Sequence, residues 1–400
     1  MTVTTTGEQM RAWRGPAIFS YGFRPFFFAA GLWAAVAMSG WILMLSGWAA
    51  LPTAFDPVSW HAHEFLFGYL GAVMAGFLLT AVPNWTGRLP IVGWPLVILF
   101  ILWATGRVAV AFSIMLPPGT VAAADLALPV ALAAVIMREI IAGKNWRNLG
   151  VLVLLAIFAF GDAVFHCEAA RGEFAAQGQG LRIAVGAGVM MIALVGGRIV
   201  PAFTRNWLAQ HNPGRLPVSP GQVFDKVALA VLLAAAGTWV LRPAGSTTAV
   251  LLGAAGLLHV VRLGRWAGDR TLGEPLLWIL HLGYAFVPLG AIILAAATFL
   301  PGTIAPSAGL HLWTAGAIGV MTLAVMTRAT RGHTGRPLHA DGRTAALFVA
   351  LLGAVTARVA AGIWPIAGPW LYVLSAAAWV AAFGGFCLVY GSMLLGKRQG

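Results

Sequence analysis

A chain of 400 residues that is 60% hydrophobic, only 9% charged and +0.85 in mean hydropathy is no ordinary soluble domain, where roughly 25% of residues are charged. Its formal charge of +13 lies in short basic groups between apolar runs, a positive-inside pattern that argues against nucleic acid as a partner. Cys167 and Cys387 are the only cysteines and no Cys-x-x-Cys-His occurs, which excludes a covalently attached c-type haem and a Cys-rich zinc or iron–sulfur site on this chain.

The first ten residues are polar and carry no cleavable signal, so the mature chain is expected to begin near Met1. Twelve apolar runs follow, at roughly 22–46, 61–82, 92–113, 121–142, 148–168, 181–203, 223–241, 247–266, 275–299, 307–328, 343–363 and 370–394. The hydrophilic connections are short, and the expectation is an all-α polytopic membrane protein with a single transmembrane domain over 1–400.

Basic residues set an orientation. Arg11, Arg14 and Arg24 precede the first span; Arg88, Arg147, Arg205, Arg265 and Arg336 represent the groups that follow even-numbered spans; Lys397 and Arg398 end the chain. The opposite loops hold little beyond Arg171, Arg182, Arg242 and Arg358, so both termini are predicted to be cytoplasmic. Spans two, six and ten end alike, on Pro83-Asn84-Trp85-Thr86-Gly87-Arg88, Pro201-Ala202-Phe203-Thr204-Arg205-Asn206 and Met326-Thr327-Arg328-Ala329-Thr330-Arg331. Three pseudo-repeats of four helices would explain that spacing.

The second span opens on Trp60-His61-Ala62-His63-Glu64, and ionisable groups at the mouth of an apolar helix are costly to place there. Three residues apart, His61 and Glu64 share a helical face while His63 points elsewhere. Two readings are open: a metal or haem site with Glu64 ligating or delivering protons, and an interfacial cap of amphipathic side chains. His311 opens span ten and His166 closes span five on the same predicted side, so His61, His63, His166 and His311 are candidate metal ligands. Asp162 lies one turn before His166 and could serve it as a hydrogen-bond partner. His259 and His281 lie deeper, and two readings stand there also: satisfied intramembrane hydrogen bonders, or a bis-histidine haem or second metal site, with Tyr284 on the face of His281. His211, His333 and His339 fall in loops and read as loop residues. Arg107, within span three, requires an anion, for which Glu64, Asp162 and a haem propionate are the available kinds. No Walker sequence, Gly-x-Ser-x-Gly elbow or zinc-protease motif occurs.

Phe19-Ser20-Tyr21-Gly22-Phe23-Arg24-Pro25-Phe26-Phe27, Trp60-His61-Ala62-His63-Glu64 and Pro83-Asn84-Trp85-Thr86-Gly87 resemble the NnrS family. So do His281-Leu282-Gly283-Tyr284, His311-Leu312-Trp313-Thr314-Ala315-Gly316 and Met326 to Gly335. The resemblance implies a bacterial inner-membrane protein of twelve helices that carries haem b and copper and is tied to nitric oxide metabolism, denitrification and nitrosative stress. A more distant architectural similarity is to haem–copper oxidases and nitric oxide reductases, whose metal-binding histidines stand on helices two and ten. Span six here has no histidine and span seven lacks an adjacent pair, so that mechanism does not transfer directly. Three functions follow as expectations. The first is an oxidoreductase that binds and reduces nitric oxide with electrons from an unknown donor, with His61, His63 and His311 on metals, Glu64 catalytic and Arg107 on a propionate. The second is a transporter of a metal or nitrosyl–iron species. The third is a haem-based sensor.

Overall fold

The computed structural model describes residues 13–211 and 213–397. Arg11 and Arg398 of the charge pattern, and the polar first ten residues, lie outside the described residues. The structure is 81% helical, and among the described residues twelve helices are long and apolar enough to cross a membrane. They are α1 (Phe23–Leu45), α2 (Pro57–Thr86), α3 (Trp94–Ala111), α4 (Pro118–Ala142), α5 (Trp146–Ala170) and α6 (Gln179–His211). Then come α7 (Val223–Leu241), α8 (Ser246–Gly264), α9 (Pro275–Phe299), α10 (Pro306–His333), α11 (Gly342–Ile363) and α12 (Gly368–Leu395). The helices match the apolar runs because lipid offers no partner for backbone N–H and C=O groups, which must bond within each crossing.

Where the ends differ, local chemistry explains it. Helix α2 begins ahead of its apolar run because Asp56 caps it: one carboxylate oxygen accepts from the backbone N–H of Val58 at 2.9 Å and of Ser59 at 3.0 Å. Pro57 at the first turn needs no N–H partner there. Helices α6 and α10 run past their apolar windows through Thr204-Arg205-Asn206 and Arg328 to Arg331. Hydropathy marks where hydrocarbon ends, whereas the helical hydrogen bonds continue into water.

Among the described residues, two of the spans contain a π-helical segment. Glu64–Leu70 in α2 and Leu312–Val320 in α10 are π-helical, with the extra residue per turn that often accompanies function. Both helices open with Pro at the first turn and pass a histidine, His63 or His311, immediately before the π segment. The third expected repeat member, α6, is α-helical throughout.

The residues cluster into two compact units. The first holds α1–α5 with the start of α6, the end of α10 and the end of α12. In it Arg24, 1% exposed, donates to the carbonyls of Met393 (3.2 Å) and Leu394 (3.1 Å) and also reaches Gly396. A guanidinium there satisfies carbonyls that a helix end leaves open and complements its dipole. The second unit holds the remainder of α6, α7–α9, most of α10, α11 and the start of α12, with α8 packed on α9.

A buried candidate metal centre

The first unit brings four ionisable side chains together. Helix α2 supplies His63, α4 supplies Asp125, and α5 supplies Asp162 and His166 one turn apart. One ligand atom from each falls within 4.8 Å of all the others, and all four residues are buried. His63 Nε2 stands 2.9 Å from Asp125 Oδ2, 3.3 Å from His166 Nε2 and 3.4 Å from Asp162 Oδ1. His166 Nε2 stands 3.1 Å from Asp125 Oδ2 and 3.6 Å from Asp162 Oδ1. Ligands at 2.0–2.2 Å in a tetrahedral shell are about 3.3–3.6 Å from one another. The separations here, from 2.9 to 3.6 Å for the histidine pairs and within 4.8 Å for all, bracket that size.

A surrounding layer fixes the imidazole and the charge. Glu64 Oε1 lies 3.1 Å from His63 Nδ1; in the tautomer with its proton on Nδ1 the ring donates a hydrogen bond to Glu64 and turns the Nε2 lone pair to the cluster. Arg107 Nη1 donates to both Glu64 oxygens at 2.7 Å, its Nη2 donates to Asp125, and Trp33 Nε1 donates to Glu64 Oε2 at 2.7 Å. Trp103 Nε1 donates to the Gly68 carbonyl at 2.9 Å, tying α3 to the π segment. Phe55, Phe67 and Phe165 ring the His63 imidazole at 5.0–5.4 Å between centroids.

Charge then asks for a cation. With Glu64, Asp125 and Asp162 ionised, one guanidinium leaves two negative charges uncompensated in a buried site, and burial of unpaired charge is strongly unfavourable. Protons or a divalent ion can supply the balance. Asp162 Oδ1 is buried with no hydrogen-bond partner, as a ligand oxygen awaiting a cation would be.

The donor set of two imidazoles and two carboxylates suits Cu(II), Zn(II) or Fe(II) and contains no sulfur to favour Cu(I). Haem b does not fit this cluster. Two imidazole nitrogens 3.3 Å apart with carboxylates beside them leave no slot for a porphyrin, and the adjoining cavity holds about 10 Å³.

The other sequence candidates lie elsewhere. His61 is half-buried and stacks on Trp41 at 4.1 Å; the carboxylate expected on its face, Glu64, bonds His63 instead, at the point where the π segment begins. His311, in the second unit, has Nδ1 2.7 Å from the Ser307 carbonyl. His259 uses both nitrogens, Nδ1 on the Tyr284 hydroxyl at 2.7 Å and Nε2 on the Ala228 carbonyl at 3.2 Å. His281 Nε2 meets the Thr204 hydroxyl at 2.8 Å. Around them Arg262 donates to Asp225 (3.0 Å), Tyr284 (2.7 Å) and the Ala193 carbonyl (2.9 Å), which makes a hydrogen-bonded core for the second unit. Asp125 and Trp33 were not among the sequence candidates. A lone aspartate within the apolar run of α4 was the available signal for the first, since intramembrane acids mark function by default.

Fold and site together define a polytopic helical membrane protein with a buried histidine–carboxylate cluster. A family model described as NnrS protein matches residues 17–398, and the chain belongs to that family. Membership makes it a membrane protein related to nitric oxide. None of the curated proteins compared with it matches.

Proposed function

We propose that this protein binds nitric oxide at a metal ion held by His63, Asp125, Asp162 and His166, and reduces it with electrons from a donor outside the chain. Its setting would be a bacterial inner membrane with both termini cytoplasmic, and its effect relief of nitrosative stress. The observation that carries the reading is the cluster itself: four metal-type ligand atoms within 4.8 Å, buried among membrane-spanning helices. Copper is the metal that the family resemblance implies and this donor set accepts. Bound there, it would supply Lewis-acid and one-electron chemistry.

The chain's own groups have separate tasks. His63 and His166 present nitrogen lone pairs, and Glu64 keeps the His63 proton on Nδ1. Asp125 and Asp162 supply negative charge, while Arg107 holds Asp125 and Glu64 in place. The phenylalanines around His63 exclude water, which strengthens every charge interaction inside. Reduction joins two nitric oxide molecules with two electrons and two protons to give nitrous oxide and water. A transported cargo metal is the weaker reading, because all four ligands are at most 6% exposed.

The test is metal content of the purified protein together with its optical response to nitric oxide, for wild type, His63→Ala and Asp125→Asn. Stoichiometric metal and a nitric oxide response in wild type, both lost in the variants, are expected. Full metal and full response in both variants would refute the assignment.

A further inference from the structure

Beside the cluster lies a cavity of about 10 Å³, the space of about one water-sized molecule. Its lining is of two chemical kinds. Asp125, Asp162 and Arg107 are charged, and most of the others, such as Leu128, are apolar. Arg107 is 4% exposed, and its Nε–H has no hydrogen-bond partner although its other nitrogens are engaged. A buried donor left unpaired costs about 1–3 kcal/mol, so a partner at this position is favoured.

Of the lining residues, Gly71 and Pro129 are half-buried and the others are buried. They stand on membrane-spanning helices α2 and α4, so that exposure faces lipid. Pro129, inside α4, lacks the N–H that would bond the Asp125 carbonyl, which loosens the helix beside the cluster. A Cβ built on Gly71 meets nothing within 4 Å. The mouth is therefore open space rather than packed core.

We propose that this cavity is a binding pocket for one small neutral molecule, entered from the lipid past Gly71 and Pro129, with Arg107 Nε–H as its hydrogen-bond donor. An anion such as nitrite is disfavoured twice, by size and by the two carboxylates in the lining. A weakly polar diatomic dissolves in hydrocarbon and offers an oxygen to Arg107. That the diatomic is nitric oxide rests on the function proposed above; the pocket and its entrance do not.

Gly71→Leu tests it, because the new side chain grows into open space at the mouth and touches no metal ligand. In protein loaded anaerobically with Fe²⁺, stopped-flow mixing with nitric oxide should show association slowed at least tenfold in Gly71→Leu, with iron content unchanged and Gly71→Ala near wild type. An unchanged rate in iron-replete Gly71→Leu would overturn the proposal. Crystals of metal-free protein pressurised with krypton read the cavity without any metal: krypton beside Leu128 is expected in wild type and absent in Gly71→Leu. No krypton in wild type would overturn the pocket, whereas krypton in a protein that takes up neither copper nor iron would keep the pocket and remove the metal reading.

Discussion

Glu64 is held on three sides, by Trp33, Arg107 and the His63 ring, and Gly68 is what lets them meet. A Cβ at Gly68 would lie 2.7 Å from Arg107 Nη1 and 2.8 Å from both Glu64 Oε2 and Trp33 Nε1. Gly68→Ala is therefore expected to destabilise the fold by about 1–3 kcal/mol through overpacking, measured by denaturant titration in detergent. Glu64→Gln keeps the shape but weakens the acceptor that orients His63. Metal affinity should then fall about 10–100-fold in a chelator competition, while an unchanged affinity would deny Glu64 that task. At this scale the sequence was partly readable. His63 and His166 stood out as polar groups in apolar runs, and the four-residue spacing placed Asp162 beside His166. Arg107 demanded an anion, and Glu64 was named for it. Asp125 was passed over because one short acid in a run of alanine and leucine offers no spacing to a partner; only the packing of α4 against α2 and α5 reveals what it faces.

At the scale of elements, α2 decides whether the cluster exists. Its capped start and its π segment set the rotation of His63 relative to Gly71–Thr86. Deleting Phe65 would close the π segment to α register and turn His63 by about 100°. The deletion variant is expected to insert into membranes yet bind no metal; retention of full metal content would show that the π segment is not needed for the site. Asp56→Ala removes the cap and should cost about 1 kcal/mol, again by titration in detergent. Neither break in α geometry was legible beforehand. Apolar composition is the same for π and α turns, and the departure is imposed by what α2 packs against, including the Trp103 bond to Gly68. The helices themselves were legible, since crossing lipid allows little else.

For the whole molecule, an even number of crossings brings particular loops to one face. Arg215 after α6 bonds Asp269 after α8 at 2.5 Å, and Arg24 at the start of α1 bonds carbonyls at the end of α12. Each pair joins segments separated by an even number of crossings. The Arg215 hydrogen bonds hold the Asp269 carboxyl below its ordinary range. A carboxyl lowered on folding stabilises above its unfolded pKa, and that contribution is lost as pH falls through the lowered folded value. Because the pair is exposed, the effect is small and fades with salt. Titration of the Asp269 carboxyl carbon by NMR should show the lowered value, and Arg215→Ala should return it to the ordinary range. The three-part repeat read from the loop ends appears in the helices as a likeness of α2 and α10, which share the proline start, the histidine and the π segment. Short matching loop ends report surface chemistry, and cannot show which helices bend alike.

The first measurement to make is X-ray absorption at the metal edge of the purified protein, wild type beside His63→Ala. A shell of nitrogen and oxygen atoms at about 2.0–2.2 Å with imidazole outer scattering, lost in the variant, is the expected result. A porphyrin-type shell, sulfur among the ligands, or no metal in the folded chain would contradict the centre formed by His63, Asp125, Asp162 and His166.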